Sequence, residues 1–190
     1  MDYQLFKLIN RHAGSTPHLD FYARFLVSDY LLPTVMVLII AGLWFAGGVP
    51  AKGRVNKRLV LQAGISLLLA NALVKLANLV YFRPRPFAAH EVNLLFYHPS
   101  DSSLPSNPAA VGFSLAVAVW LIERRTGALL LALATIWSLA RVYCGVHYPL
   151  DVIAGAALGG FSAYLIVRHT AALNSLYDWF VALGERLFLI

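Results

Sequence analysis

Three short segments of the chain carry residue types that handle phosphate. They are Arg83-Pro84-Arg85-Pro86-Phe87, Leu104-Pro105-Ser106-Asn107-Pro108, and the run from Arg141 through His147 to Asp151. A guanidinium stays charged and donates two parallel hydrogen bonds to phosphate-type oxygens, so Arg83, Arg85 and Arg141 together suit a multiply charged anion. Pro84 and Pro86 hold the first two on a stiff, non-helical stretch. Asn107 before Pro108 reads as an N-cap with a first-turn proline, which sets unpaired helical N–H groups beside the arginines. His147 and Asp151 stand four apart across Pro149, a spacing that lets the carboxylate orient and polarise the imidazole as a nucleophile.

The elements that must position these residues are apolar. Of 190 residues, 59% are hydrophobic and 13% charged, and the mean hydropathy is +0.69. The chain reads as all-α, a polytopic membrane helix bundle forming a single domain over 1–190. Five apolar stretches, 25–46, 59–81, 109–122, 128–143 and 150–167, predict the crossing helices, with 123–127 as a tight charged hairpin. Amphipathic patterns over 1–11 and 171–190 predict surface helices. No apolar core with a cleavage site follows Met1, so no signal peptide is expected.

If the spans alternate, the basic residues of 47–58, 123–127 and the stretch after 167 share one face, which is cytoplasmic by the distribution of Lys and Arg. Segments 82–108 and 144–149 then face outward, and all three phosphate-handling segments meet at that surface. The net charge of +6 lies in short loop clusters, a membrane pattern that speaks against a nucleic-acid partner. The lone Cys144 permits neither an intramolecular disulfide nor a paired-thiolate metal site, and neither metal nor cofactor is expected.

The Arg-Pro, Pro-Ser and Arg-x5-His-x3-Asp elements resemble the three signatures of the type 2 phosphatidic acid phosphatase superfamily. Leu79 to Phe87, the Ala-His that follows, and the spacing to Pro105-Ser106 most resemble its bacitracin-resistance type of undecaprenyl-diphosphatase, over about residues 1–168. The resemblance implies an enzyme of the bacterial inner membrane, with its site facing the periplasm or exterior. It would release phosphate from a polyprenyl diphosphate lipid and so recycle the carrier of cell-wall synthesis. It also implies that His147 forms a phosphohistidine, that Asp151 orients it, and that Arg141 and Arg85 clamp the phosphoryl oxygens, with Ser106 and the amides after it completing the cradle.

Two positions depart from the family pattern. Asn78 stands where the first signature has lysine; Lys75, one helical turn away, is the expected substitute on the phosphate. Pro108 stands where the second signature has a proton-donating histidine, with His98 or His90 as candidate replacements. An alternative expectation is therefore a degenerate relative that binds or senses polyprenyl phosphates without hydrolysing them.

Overall fold

A computed structural model describes residues 1–46, 50–169 and 174–186. Among the described residues every regular element is helical: α1 (Asp2–Asn10), α2 (Pro17–Leu26), α3 (Leu31–Phe45), α4 (Pro50–Val80), α5 (Pro86–Ala89), α6 (Asn107–Trp120), α7 (Arg124–Tyr143), α8 (Pro149–His169) and α9 (Asn174–Arg186). Three of these are long and apolar enough to cross a membrane: α4 from Gly53, α7 and α8.

The expected first span is broken. α2 and α3 meet at a bend of 51°, where the Ser28 side chain accepts from the Tyr30 N–H. Pro33 in the first turn of α3 needs no partner for an N–H it lacks. Counted as one, this pair makes a fourth span. The stretch expected at 109–122 is α6, only 14 residues, or about 21 Å. It packs between α4, α7 and α8, with Ala109 near its start buried and Trp120 at its end exposed. Much of the predicted loop 47–58 is also helical, since α4 begins at Pro50, proline being tolerated at the first helical position. Residues 47–49 lie outside the described residues, as do 170–173 and 187–190 of the region expected to hold the final amphipathic helix, which is seen as α9.

Lipid gives helices no hydrophobic reason to associate, so close approach of small residues must hold the bundle together. α6 buries Ala109, Ala110, Gly112, Ser114, Ala116 and Ala118. Facing it on α8 are Gly155 and Gly159. A Cβ on Gly155 would come within 2.3 Å of the Ser106 carbonyl oxygen, and one on Gly159 within 2.3 Å of that of Ala110. Only glycine admits a main-chain oxygen so near. Further along, Met36, Ile40, Leu59, Leu115, Val119 and Leu130 fill the space between the rods.

At one end the α6–α7 hairpin closes on Glu123, whose carboxylate accepts from the N–H groups of Arg125 and Thr126. Arg58 of α4 pairs with Asp178 of α9 at 2.6 Å. At the opposite end α1 rests on α7 and α8, burying Phe6 against Val142 and Tyr148. Asn10 of α1 donates to the carbonyl oxygens of Asn93 and Tyr143, each at 2.8 Å, tying the irregular 90–106 segment to the end of α7.

Candidate active site

Three chain segments end together at the α1 side of the bundle. α8 begins at Pro149 immediately after His147, and the Ser106 N–H donates to the Asp151 carbonyl oxygen at 2.9 Å, joining the first turns of α6 and α8. Gly145, at φ +84°, makes the left-handed turn after α7 that brings His147 back over the bundle. The same turn is closed by the Val146 N–H on the Arg141 carbonyl at 3.0 Å.

His147 is 1% exposed. Its Nδ1 lies 3.0 Å from the Ser103 carbonyl oxygen, and its Nε2 is 3.1 Å from Arg85 Nη1. Arginine can only donate, so Nε2 accepts and Nδ1 carries the proton. Burial, with Arg85 and Arg141 adding to it against the opposing pull of Asp151, pushes the imidazole pKa down to about 4. The ring is thus a neutral imidazole with its lone pair on Nε2.

The expected contact between His147 and Asp151 is not a hydrogen bond, the two lying 3.9 Å apart. Ser103 intervenes: its hydroxyl donates to Asp151 and its carbonyl receives the ring proton. The fully buried Asp151 is also met by the Tyr148 N–H at 2.9 Å. Arg83 completes its partners, and here the sequence expectation is corrected. Arg83 is turned away from the anion site, with one terminal nitrogen on Asp151, the other on Asp2 at 2.7 Å, and its plane over Tyr148. A carboxylate this buried needs a compensating cation, and Arg83 is that cation.

Arg85 and Arg141 do face a common cavity of about 380 Å³, shared with His147, Asn107, Pro108, Val111, Pro33, Trp137, Tyr97, Pro99, Asp29 and Asp101. Each arginine already holds a carboxylate. Arg85 pairs with Asp101 at 2.8 Å and also donates to the Val146 carbonyl. Arg141, 2% exposed, pairs with Asp29. The Tyr97 hydroxyl donates to the other oxygen of Asp29 at 2.7 Å, so the bend between α2 and α3, the irregular segment and α7 meet at that carboxylate.

Other expectations shift. The cap of α6 is Ser106, without a side-chain cap bond, and Asn107 is the first helical residue. The Ser106 Oγ and Asn107 Oδ1 are buried without a partner. Lys75 is exposed on α4 and absent from the cavity wall, because its long stem points to the outside of the bundle. His98 packs edge-on against Phe87 and His90 stacks on Tyr3, neither lining the cavity. Ser103, Tyr97 and Trp137 enter the site without having been singled out as its members from sequence, and Asp101, legible only as an outer-loop acid that could recruit a cation, pairs with Arg85 instead. Asp29 was legible only as an acid near a span.

The chain matches the PAP2 superfamily over residues 59–175, more than half its length. It is 29% identical to the undecaprenyl-diphosphatase BcrC of Bacillus subtilis (strain 168), across 97% of this chain and 92% of that protein. To the undecaprenyl-diphosphatase of Sulfolobus acidocaldarius it is 30% identical, across 87% of this chain and 76% of that one. The crystal structure of Aquifex aeolicus LpxE superposes with a TM-score of 0.69 at 29% identity, covering 88% of this chain and 95% of the other. The family match takes in Arg85, Arg141, His147 and Asp151, and the chain belongs to the PAP2 superfamily as a multi-pass membrane phosphatase.

Proposed function

We propose that this protein hydrolyses undecaprenyl diphosphate, or a closely related polyprenyl diphosphate, to the lipid monophosphate and inorganic phosphate. The observation that carries the reading is the neutral His147, its Nε2 lone pair met by the Arg85 guanidinium, with the buried Arg141 at the wall of the same cavity. The relatives named as undecaprenyl-diphosphatases supply the substrate class.

The terminal phosphoryl group enters by taking Arg85 and Arg141 from Asp101 and Asp29. Nε2 attacks phosphorus, and the bond to the bridging oxygen breaks with its electron pair leaving on the lipid phosphate. The imidazolium of the phosphohistidine keeps its Nδ1 proton on the Ser103 carbonyl, and the Asp151 charge 3.9 Å away stabilises it. Water then attacks phosphorus, the P–N pair returns to Nε2, and both water protons leave on dihydrogen phosphate. A departing phosphate needs no proton, so Pro108 in place of a proton donor fits a diphosphate better than an alkyl monoester, where a general acid contributes about 10²–10⁴-fold.

Arg54, Arg58, Arg124 and Arg125 lie toward the opposite end of the bundle, which supports a cytoplasmic location for that end and a site on the outer face of a bacterial inner membrane. The competing reading, binding without turnover, rests on Pro108. Purified protein in detergent with chelator and undecaprenyl diphosphate separates the two. Phosphate release that disappears in His147→Ala establishes the hydrolase. Silence from the wild type, with release from Pro108→His, establishes a binding protein instead.

A further inference from the structure

The cavity is chemically two-sided. Its outer region holds His147, Arg85 and Asp101, while Pro33 of α3, Val111 of α6 and Trp137 of α7 line its deeper region. Trp137 precedes Arg141 by four residues and Val111 follows Asn107 by four, so each lies about one helical turn, or roughly 5–6 Å, further into the bundle. That is the direction a lipid stem must take once its terminal phosphoryl group reaches His147.

This apolar region contains a polar atom with no evident use. Trp137 is 3% exposed, and its indole Nε1 is buried with no hydrogen-bond partner. The Arg141 Nε, next to it on the same helix face, is likewise unpartnered. A buried donor left unpaired costs free energy, and indole N–H groups usually find acceptors. An idle donor at the phosphoryl site and another one turn behind it suit acceptors that arrive with the substrate.

We propose that the Trp137 indole N–H binds the leaving-group side of the substrate, donating to an oxygen of the lipid-proximal phosphate. The inference rests on the diphosphatase reading and deepens it. As the P–O bond breaks, negative charge gathers on that departing phosphate, where a fixed donor in a dry cleft is most effective. The indole gives no proton away; it lowers the cost of a departure that has no acid to assist it. Its ring, 5.7 Å from the Arg141 guanidinium, meanwhile walls the path of the stem.

Trp137→Phe keeps a ring beside Arg141 and removes the N–H. With undecaprenyl diphosphate, kcat/KM should fall by about ten- to a hundred-fold, the loss of one hydrogen bond to a charged group. Inhibition by orthovanadate, whose apical oxygen reaches the bridging position but which carries no lipid-proximal phosphate, should change by less than about three-fold on the same reasoning. Equal losses in both would mark a structural role and overturn the proposal, as would no loss in either. Should Trp137→Phe fail to fold, [15N]Trp-labelled wild type decides. Its indole N–H signals are assigned by substituting Trp44, Trp120 and Trp179 one at a time, and inorganic diphosphate should move the Trp137 resonance; an unmoved resonance refutes the contact. Absence of His147-dependent release from the wild type sinks the hydrolase reading itself, whereas wild-type release with an unaffected Trp137→Phe sinks only this inference.

Discussion

His147 sits among groups that decide its protonation before any substrate arrives. Burial holds its pKa near 4, against an ordinary value of about 6.5. The ring should remain neutral as the pH falls through 6.5 and take up its proton only near 4. An unfolded chain protonates near 6.5, so the fold loses stability from this residue between those two values and is unaffected by it above them. Nitrogen-15 spectra of histidine-labelled protein, assigned with His147→Gln, should show the His147 ring untitrated at pH 5.5; a midpoint near 6.5 would contradict the environment described. The residue, its spacing to Arg141 and Asp151, and Arg85 as an anion-binding group were legible in the sequence, because the chemistry is written in residue type; the direct contact of Arg85 with the ring was not. Neither Ser103 nor the pairing of Asp101 with Arg85 was legible, because these roles depend on contacts across 44 and 16 positions. Arg83 was legible as a cation but not as Asp151's counter-charge, since sequence does not show which carboxylate is buried.

At the level of elements, the site depends on how closely α6 and α8 approach. Gly159→Ala places a methyl group against the Ala110 carbonyl, forcing the helices apart at a cost of about 1–3 kcal/mol. The same shift strains the Ser106–Asp151 link between their first turns. Gly64→Ala on α4 is the control: an added Cβ there meets nothing within 4 Å, and replacing a helical glycine gains about 0.5–1 kcal/mol. Thermal unfolding in detergent should fall for the first variant and hold or rise for the second, with phosphate release reduced only in the first. Hydropathy revealed α4, α7 and α8 but passed over the break in the first span, since 25–46 is apolar on both sides of Ser28 and Asp29. It also offered 109–122 as a crossing helix, where α6 has only 14 residues and buries a face of small side chains against its neighbours. The glycines four apart on α8 were not singled out from the sequence, because the backbone they admit belongs to another helix.

Across the whole molecule, charge is sorted by end. The basic groups of the hairpin and the start of α4 gather away from the site, while at the site end the two cavity arginines each carry an aspartate from elsewhere in the chain. Asp29 reaches Arg141 across 112 positions, a pairing no local pattern encodes. A mouth whose cations are already matched casts little field into the surrounding water. It should therefore capture its anion without long-range steering, unlike clefts whose unneutralised charge accelerates encounter. The kcat/KM for a short-chain, water-soluble prenyl diphosphate should change little as salt rises to about 0.3 M, where exposed charges are strongly screened. A steep decline would show that Asp29 and Asp101 release the arginines before the encounter. A flat profile would place that exchange after it, at the moment the headgroup is already seated.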